Sequence, residues 1–271
     1  MRSVLFVLSR AAMAVVICLA PVAVSAASCG NSAAGFDTWK SSFVRTAKRA
    51  GVGQPGLTAL AQARYAQGTI NADRNQKSFK YSLDKFMQIR GAATIVAQGK
   101  KRKARNAGFF DALEKKYGVP AGILIAIHGM ETAFGSYMGD SQVVSAIVTL
   151  TYDCRRSSFF EPHAIGALKL VDQGAITSAT LGAKHGELGH TQFLPGNALT
   201  YGQDWNRDGR VDFYEMGDAL ASTAHFLRKK GWKRGRGYQP GDPNHKVLKK
   251  WNAATVYQQS LAIMGRQIDG S

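Results

Sequence analysis

The chain has 271 residues, of which 45% are hydrophobic and 20% charged, and a formal net charge of +17. That length and apolar content suit one large folded domain, or a domain with a smaller subdomain, and there is no internal repeat or low-complexity tract. The charge favours an acidic partner, but no nucleic-acid motif accompanies it, so an acidic envelope polymer is the expected partner and nucleic acid is not.

Residues 1–26 combine a basic start (Arg2, Arg10), an apolar run from Ala11 to Val24 and small residues at Val24-Ser25-Ala26, the pattern of a cleaved secretory signal. Its removal would leave 27–271 as a single exported domain and lower the formal charge from +17 to +15. A lipoprotein signal would acylate Cys29, but Ala26 stands where such a signal normally has leucine. No later apolar run is long enough to span a bilayer, so no stable membrane insertion is expected. Cys18 leaves with the signal, and the remaining Cys29 and Cys154 predict one disulfide, with a pair of free thiols as the alternative.

From about Phe36 to Lys116 apolar residues recur at helical spacing, as in Trp39, Phe43, Val44 and Ala47, or Phe79, Leu83, Phe86 and Met87. Polar breaks at 51–56 and at Asn71-Ala72-Asp73 mark connections, and no stretch alternates as a strand would, so the fold class is mainly α. The run Lys100–Arg105 reads as a solvated helix face.

Gly118 and Pro120 signal a helix start at the head of the 117–271 half. Leu124, Ile127, His128 and Glu131 then share one face of a helix that is apolar almost all round. Glu131 is the exception. A carboxyl there is disfavoured as an anion by its apolar surroundings and by the negative end of the helix dipole, and both raise its pKa toward that of a general acid. The competing reading is a glutamate paired with one of the many basic residues.

Beyond this helix, Thr149–Arg156 sets Arg155 and Arg156 beside Cys154, either to contact a sugar or an acidic group or as a surface pair. Gly186–Pro195 reads as the wall of a binding site, with glycines for close backbone approach and Gln192 offering a donor and an acceptor. Glu187, in this glycine-flanked turn, is expected to be exposed and is not expected to pair with Glu131. Asp204–Glu215 has the spacing of an EF-hand calcium loop: Asp204, Asn206, Asp208, the Arg210 carbonyl and Asp212 as ligands, closed by Glu215 or Asp218. A lone loop of this kind points to structural calcium and leaves catalysis without a cofactor. Asp218–Lys230 reads as a helix, and Lys249–Tyr257 as the opening of a last one, where Trp251 and Tyr257 offer flat faces for sugar rings or serve as core aromatics.

Gly129–Gly135, Gly186–Pro195, the Asp-rich loop 204–218 and Trp251-Asn252 through Tyr257 occur in the order found in lytic murein transglycosylases of the B type, and from about Phe36 to Ile268 the chain resembles that family. The resemblance implies a mainly α, lysozyme-like fold with an EF-hand-like calcium loop, and a helical part at about 36–116 ahead of a core at about 117–271. It implies a monomeric periplasmic enzyme acting on peptidoglycan glycan strands, with Glu131 as the single catalytic carboxyl. It also implies a glycan cleft lined by Gln192, Phe193, Trp251, Asn252, Tyr257 and Arg156, and it favours Asp218 as a last calcium ligand beside or instead of Glu215. His128, His190, Gly196-Asn197 and Ala254 depart from the usual residues of the family.

Overall fold

The computed structural model describes residues 28–75 and 81–270, so the signal segment and Phe79 lie outside the described residues. The chain is mainly helical. Helices α1 (Phe36–Arg49), α2 (Gln54–Gln62), α3 (Gln67–Arg74), α4 (Leu83–Ile89), α5 (Ala92–Arg105) and α6 (Ala107–Tyr117) precede a central α7 (Ala121–Thr132). After it come α8 (Val143–Tyr152), α9 (Ser157–Asp172), α10 (Pro195–Tyr201), α11 (Met216–Lys229), α12 (His245–Trp251) and α13 (Thr255–Asp269). One two-residue antiparallel pair, β1 (Ser141–Gln142) with β2 (Leu181–Gly182), ties the start of α8 to the chain just ahead of the wall segment.

Two apolar clusters organise these helices. One gathers α4–α7 with α11–α13 around Leu124, Ile127 and Leu261. The other packs α1 and α2 on α8 and α9 around Trp39, Leu60, Ile147 and Leu168. The first helices therefore share their core with helices that follow α7. The Cys29–Cys154 disulfide is formed, with Cα atoms 4.9 Å apart, and fastens the chain ahead of α1 to the end of α8.

Every residue of α7 is buried except Glu131. Packing this close requires small residues: a Cβ on Gly122 would lie 2.2 Å from the Gly265 carbonyl of α13, and one on Gly129 would lie 2.5 Å from Ile95 Cγ2 of α5. Asp269, at the end of α13, accepts the Gly122 N–H at 2.8 Å and places a carboxylate at the positive end of the α7 dipole, where Lys103 pairs with it at 2.9 Å.

Two local readings are corrected. Asn71-Ala72-Asp73 is no connection but the last part of α3, because Asp73 turns inward to bind Arg155 and Arg156, a tertiary gain that outweighs weak helix propensity. Trp251 does not open the last helix; it closes α12. Asn252 then stands extended, and its side-chain oxygen accepts the Ala254 N–H at 2.9 Å in a tight turn before α13.

Candidate active site

The end of α7 opens into a cleft of about 540 Å³. Glu131 is partly buried on its floor. Its Oε1 accepts hydrogen bonds from the Tyr257 hydroxyl of α13 and, at 3.3 Å, from Trp251 Nε1. Burial raises the pKa of Glu131, opposed by these two donors and by the Arg90 charge. Burial and then the Glu131 charge push the Tyr257 phenol well above its usual range, so it stays a donor. With Oε1 engaged twice, Oε2 is the oxygen left for a ligand.

The helix must stop immediately after this residue. Ala133, Phe134 and Gly135 are all left-handed, with φ of 47°, 63° and 84°. Thr132 Oγ1 accepts the Gly135 N–H at 2.9 Å and donates to the His190 carbonyl at 2.7 Å, fastening the end of α7 to the wall segment. Next to it the buried His128 meets His190, ring nitrogen to ring nitrogen, at 2.9 Å, and His190 reaches the Tyr214 carbonyl at 3.1 Å. Burial, then His190 and Arg102, lowers the pKa of His128 to about 3, so this contact is between neutral rings.

Gln192, Phe193, Trp251 and Asn252 line the cleft. Phe193 is buried against Phe213, Phe226 and Trp251, and Gln192 is itself left-handed (φ 56°), its Nε2 donating to the Gly189 carbonyl at 2.7 Å. Tyr257 acts behind the cleft wall, on the Glu131 carboxyl. Arg156 is not among the lining residues: it is held by Asp73, with its guanidinium 4.8 Å from the Phe160 ring. Burial works against the Asp73 anion, but Arg155 and Arg156 outweigh it and keep that carboxyl below its ordinary range.

Three lining residues carried no usable signal or a misleading one. Arg90, at the end of α4, and Tyr137, after α7, lay in stretches without a motif. Glu187, expected to be exposed, lines the same cleft as Glu131, and its side chain is 23% exposed. Its turn folds inward because Gly186 and Gly189 permit it; a Cβ on Gly189 would lie 1.9 Å from the Phe213 carbonyl. Glu187 Oε2 accepts the His185 N–H at 3.1 Å, and burial, then the Glu131 charge, raises its pKa to about 7.

In the Asp-rich loop, Asp204 accepts the backbone N–H groups of Arg207, Asp208 and Gly209. Asp218 closes the loop by accepting the N–H groups of Trp205 and Asp212, at 2.7 and 2.8 Å. Glu215 instead caps α11 through the Asp218 N–H. The donors are all hard oxygens and suit calcium, and burial together with Glu215 and Asp204 raises the Asp218 pKa, a charge crowding that a cation would relieve. Among the described residues, however, no three His, Cys, Asp or Glu side chains converge as a ready metal cluster, since these carboxylates are turned onto loop amides.

Comparison with known proteins adds an independent line. The family described as "Transglycosylase SLT domain" matches residues 35–241. Membrane-bound lytic murein transglycosylase B of Escherichia coli (strain K12) is 31% identical over 146 residues, which are 49% of this chain and 40% of that relative, so the chain spans well under two thirds of its length. Among solved structures, SltB3 from Pseudomonas aeruginosa in complex with NAG-NAM-pentapeptide aligns with a TM-score of 0.79 at 24% identity, covering 87% of this chain and 80% of that one. Escherichia coli Slt35 in complex with calcium aligns with a TM-score of 0.73 at 19% identity, covering 89% and 96%. These likenesses carry the mainly helical lytic transglycosylase fold.

Proposed function

The chain belongs to the transglycosylase SLT domain family, and on that premise we propose that it is a lytic murein transglycosylase, exported to the periplasm through the 1–26 signal and acting as a monomer on peptidoglycan glycan strands. It cleaves the β-1,4 bond between N-acetylmuramic acid and N-acetylglucosamine and leaves a 1,6-anhydro muramic end. One observation carries this reading: the only residue of α7 that is not buried is a carboxyl with a raised pKa that lines the cleft and is held by two donors on one oxygen. Protonated Glu131 donates to the glycosidic oxygen as the C1–O bond breaks, and an oxocarbenium-like or acetamido-stabilised species forms. The Glu131 anion then takes the proton of the C6 hydroxyl of the same residue, which closes on C1. Gln192, Phe193, Trp251 and Asn252 hold the sugars, and Tyr257 orients the acid.

Mass spectrometry of the soluble products from murein sacculi, treated with the mature protein and with Glu131→Gln, tests the reading. Anhydromuropeptides from the wild type alone are expected. Reducing ends alone would make the chain a hydrolase, and no release would leave a murein-binding protein.

The loop from Asp204 to Asp218 holds structural calcium in this proposal, through Asp204, Asn206, Asp208, the Arg210 carbonyl, Asp212 and Asp218, with Glu215 serving as the cap of α11. The hard-oxygen donor set supports it, as does the calcium complex of the Slt35 neighbour. Calcium should raise the melting temperature, a chelator should lower it, and Asp208→Ala should lose the response; a melt indifferent to calcium would refute the assignment.

A further inference from the structure

The reaction above uses one carboxyl, but the cleft contains two. Glu131 enters from α7 and Glu187 from the 183–193 turn, and both line the same concavity. Their settings differ. Glu131 Oε1 receives a phenol and an indole N–H, whereas the Glu187 carboxyl is met by backbone N–H groups, its own and that of His185, and its Oε1 lies 3.7 Å from His185 Nδ1. Glu187 is near enough to Glu131 to feel its charge.

Two carboxyls in one cleft, one protonated and one ionised, form the arrangement that hydrolyses a glycosidic bond with water. We propose that Glu187 gives this site a second, hydrolytic outlet by serving as the base for water attack at C1. The inference rests on the assignment of Glu131 as the acid. The step balances without a co-reactant. The Glu131 proton goes to the leaving glycosidic oxygen as the C1–O bond breaks. Water oxygen bonds to C1, and the proton that water loses goes to the Glu187 carboxylate. The products are a free hydroxyl on one sugar and a reducing end on the other, and exchange with solvent returns the two carboxyls to their starting state.

The groups around Glu187 set when this outlet opens. Glu131 on α7 opposes its ionisation, and Arg156 at the start of α9 favours it. Arg90 at the end of α4 and Lys184 line the cleft, the latter held by Asp140 at 2.5 Å. His185, on the same turn, lies between Glu187 and Asp73, at 3.7 Å from each. Glu187 ionises as the pH passes about 7. Below that Glu187 holds its proton and cannot take one from water, so only the internal C6 hydroxyl attacks, by a route that needs Glu131 alone. Toward higher pH the ionised form of Glu187 gains weight, and among the turnovers that Glu131 still initiates the reducing-end share rises.

The experiment counts borohydride-reducible muramic ends against 1,6-anhydro ends, by mass spectrometry of sacculus digests between about pH 5 and about pH 8.5, a span bracketing the ordinary range of a raised carboxyl. Wild type, Glu187→Gln, Glu187→Ala and Glu131→Gln are compared. A wild-type reducing share that climbs with pH and falls at least about a hundredfold in both Glu187 variants is expected, the lower end of what a positioned base contributes. Anhydro ends that depend on Glu131, with no reducing ends at any pH or with a share indifferent to Glu187, overturn this inference and leave the transglycosylase reading standing. Anhydro ends that persist in Glu131→Gln overturn that reading and this inference with it. Release of anhydro ends by a Glu187 variant reports that it is folded.

Discussion

Removing the Tyr257 hydroxyl should move the pH dependence of the enzyme in a defined direction. The phenol donates to Glu131 Oε1 and is buried, at 3% exposure, so Tyr257→Phe deletes one donor and adds no bulk. A hydrogen bond to a charged acceptor contributes about 1.5–3 kcal/mol, and about 1.4 kcal/mol corresponds to one pKa unit. The phenol stabilises the carboxylate over the acid, so its loss raises the Glu131 pKa by about one to two units. The acid form then survives to higher pH. In kcat/KM against pH, the limb that falls as Glu131 loses its proton should shift upward by that amount, while the plateau drops because a weaker acid protonates the leaving oxygen less readily. Trp251 Nε1, at 3.3 Å, remains and keeps the shift from being larger. A limb that stays in place, or moves to lower pH, would show that the phenol does not act on the ionised Glu131.

Glu187→Gln should stabilise the fold at high pH. Its pKa is raised from 4.5 to about 7, so the folded state binds the extra proton and the wild type loses stability as the pH rises through that window, by up to about 3 kcal/mol; between pH 4 and pH 8 the wild type should lose more stability than the variant by up to that amount, and equal losses would refute it. Reduction of the Cys29–Cys154 disulfide, which spans 125 residues, should cost about 2–4 kcal/mol in denaturant melts. Gly122→Ala should cost several-fold more than an exposed Gly→Ala change, since its Cβ meets the Gly265 carbonyl at 2.2 Å; an unchanged melting temperature would disprove the tight α7–α13 packing. Asp73→Asn should destabilise the protein by about 1.5–3 kcal/mol through the lost charge-assisted hydrogen bonds of the buried carboxylate, toward the lower end because Arg155 and Arg156 are 42% and 34% exposed, and a smaller loss on replacing all three together is the check.

What could be read from sequence was what local chemistry dictates. The start of α7 at Gly118–Pro120, its apolar surroundings and the single carboxyl among them are statements about neighbours along one helix. The disulfide followed from having two cysteines left. Glu187 went astray because its flanking glycines look the same whether a turn faces solvent or folds against a neighbouring backbone; only the Phe213 carbonyl, brought in from the Asp-rich loop, decides between them. Asp73 and Arg156 are separated by 83 residues, and nothing along the chain announces that α3 ends in an ion pair instead of a loop. Arg90 faces the cleft only because α4 and α5 pack where they do.

The backbone around the cleft explains why the acid needs so much support. Among the described residues, Ala133, Phe134, Gln192 and Arg207 are the non-glycine positions with positive φ, and three of them lie in the two segments that present Glu131 and Gln192. Each such residue costs on the order of 1 kcal/mol or more, which persists only where the surroundings over-determine the conformation. Thr132 supplies that for the end of α7 by holding both the Gly135 amide and the His190 carbonyl, and Arg102 stacks 4.4 Å from the Phe134 ring. Gln192 is held by its own side chain on the Gly189 carbonyl. The strain therefore ends α7 one residue after Glu131 and joins that end to the opposite wall. An acid that depends on two donors from α12 and α13 for one oxygen must keep its backbone fixed relative to both, and the left-handed corner at 133–135 does so without placing another side chain in the cleft.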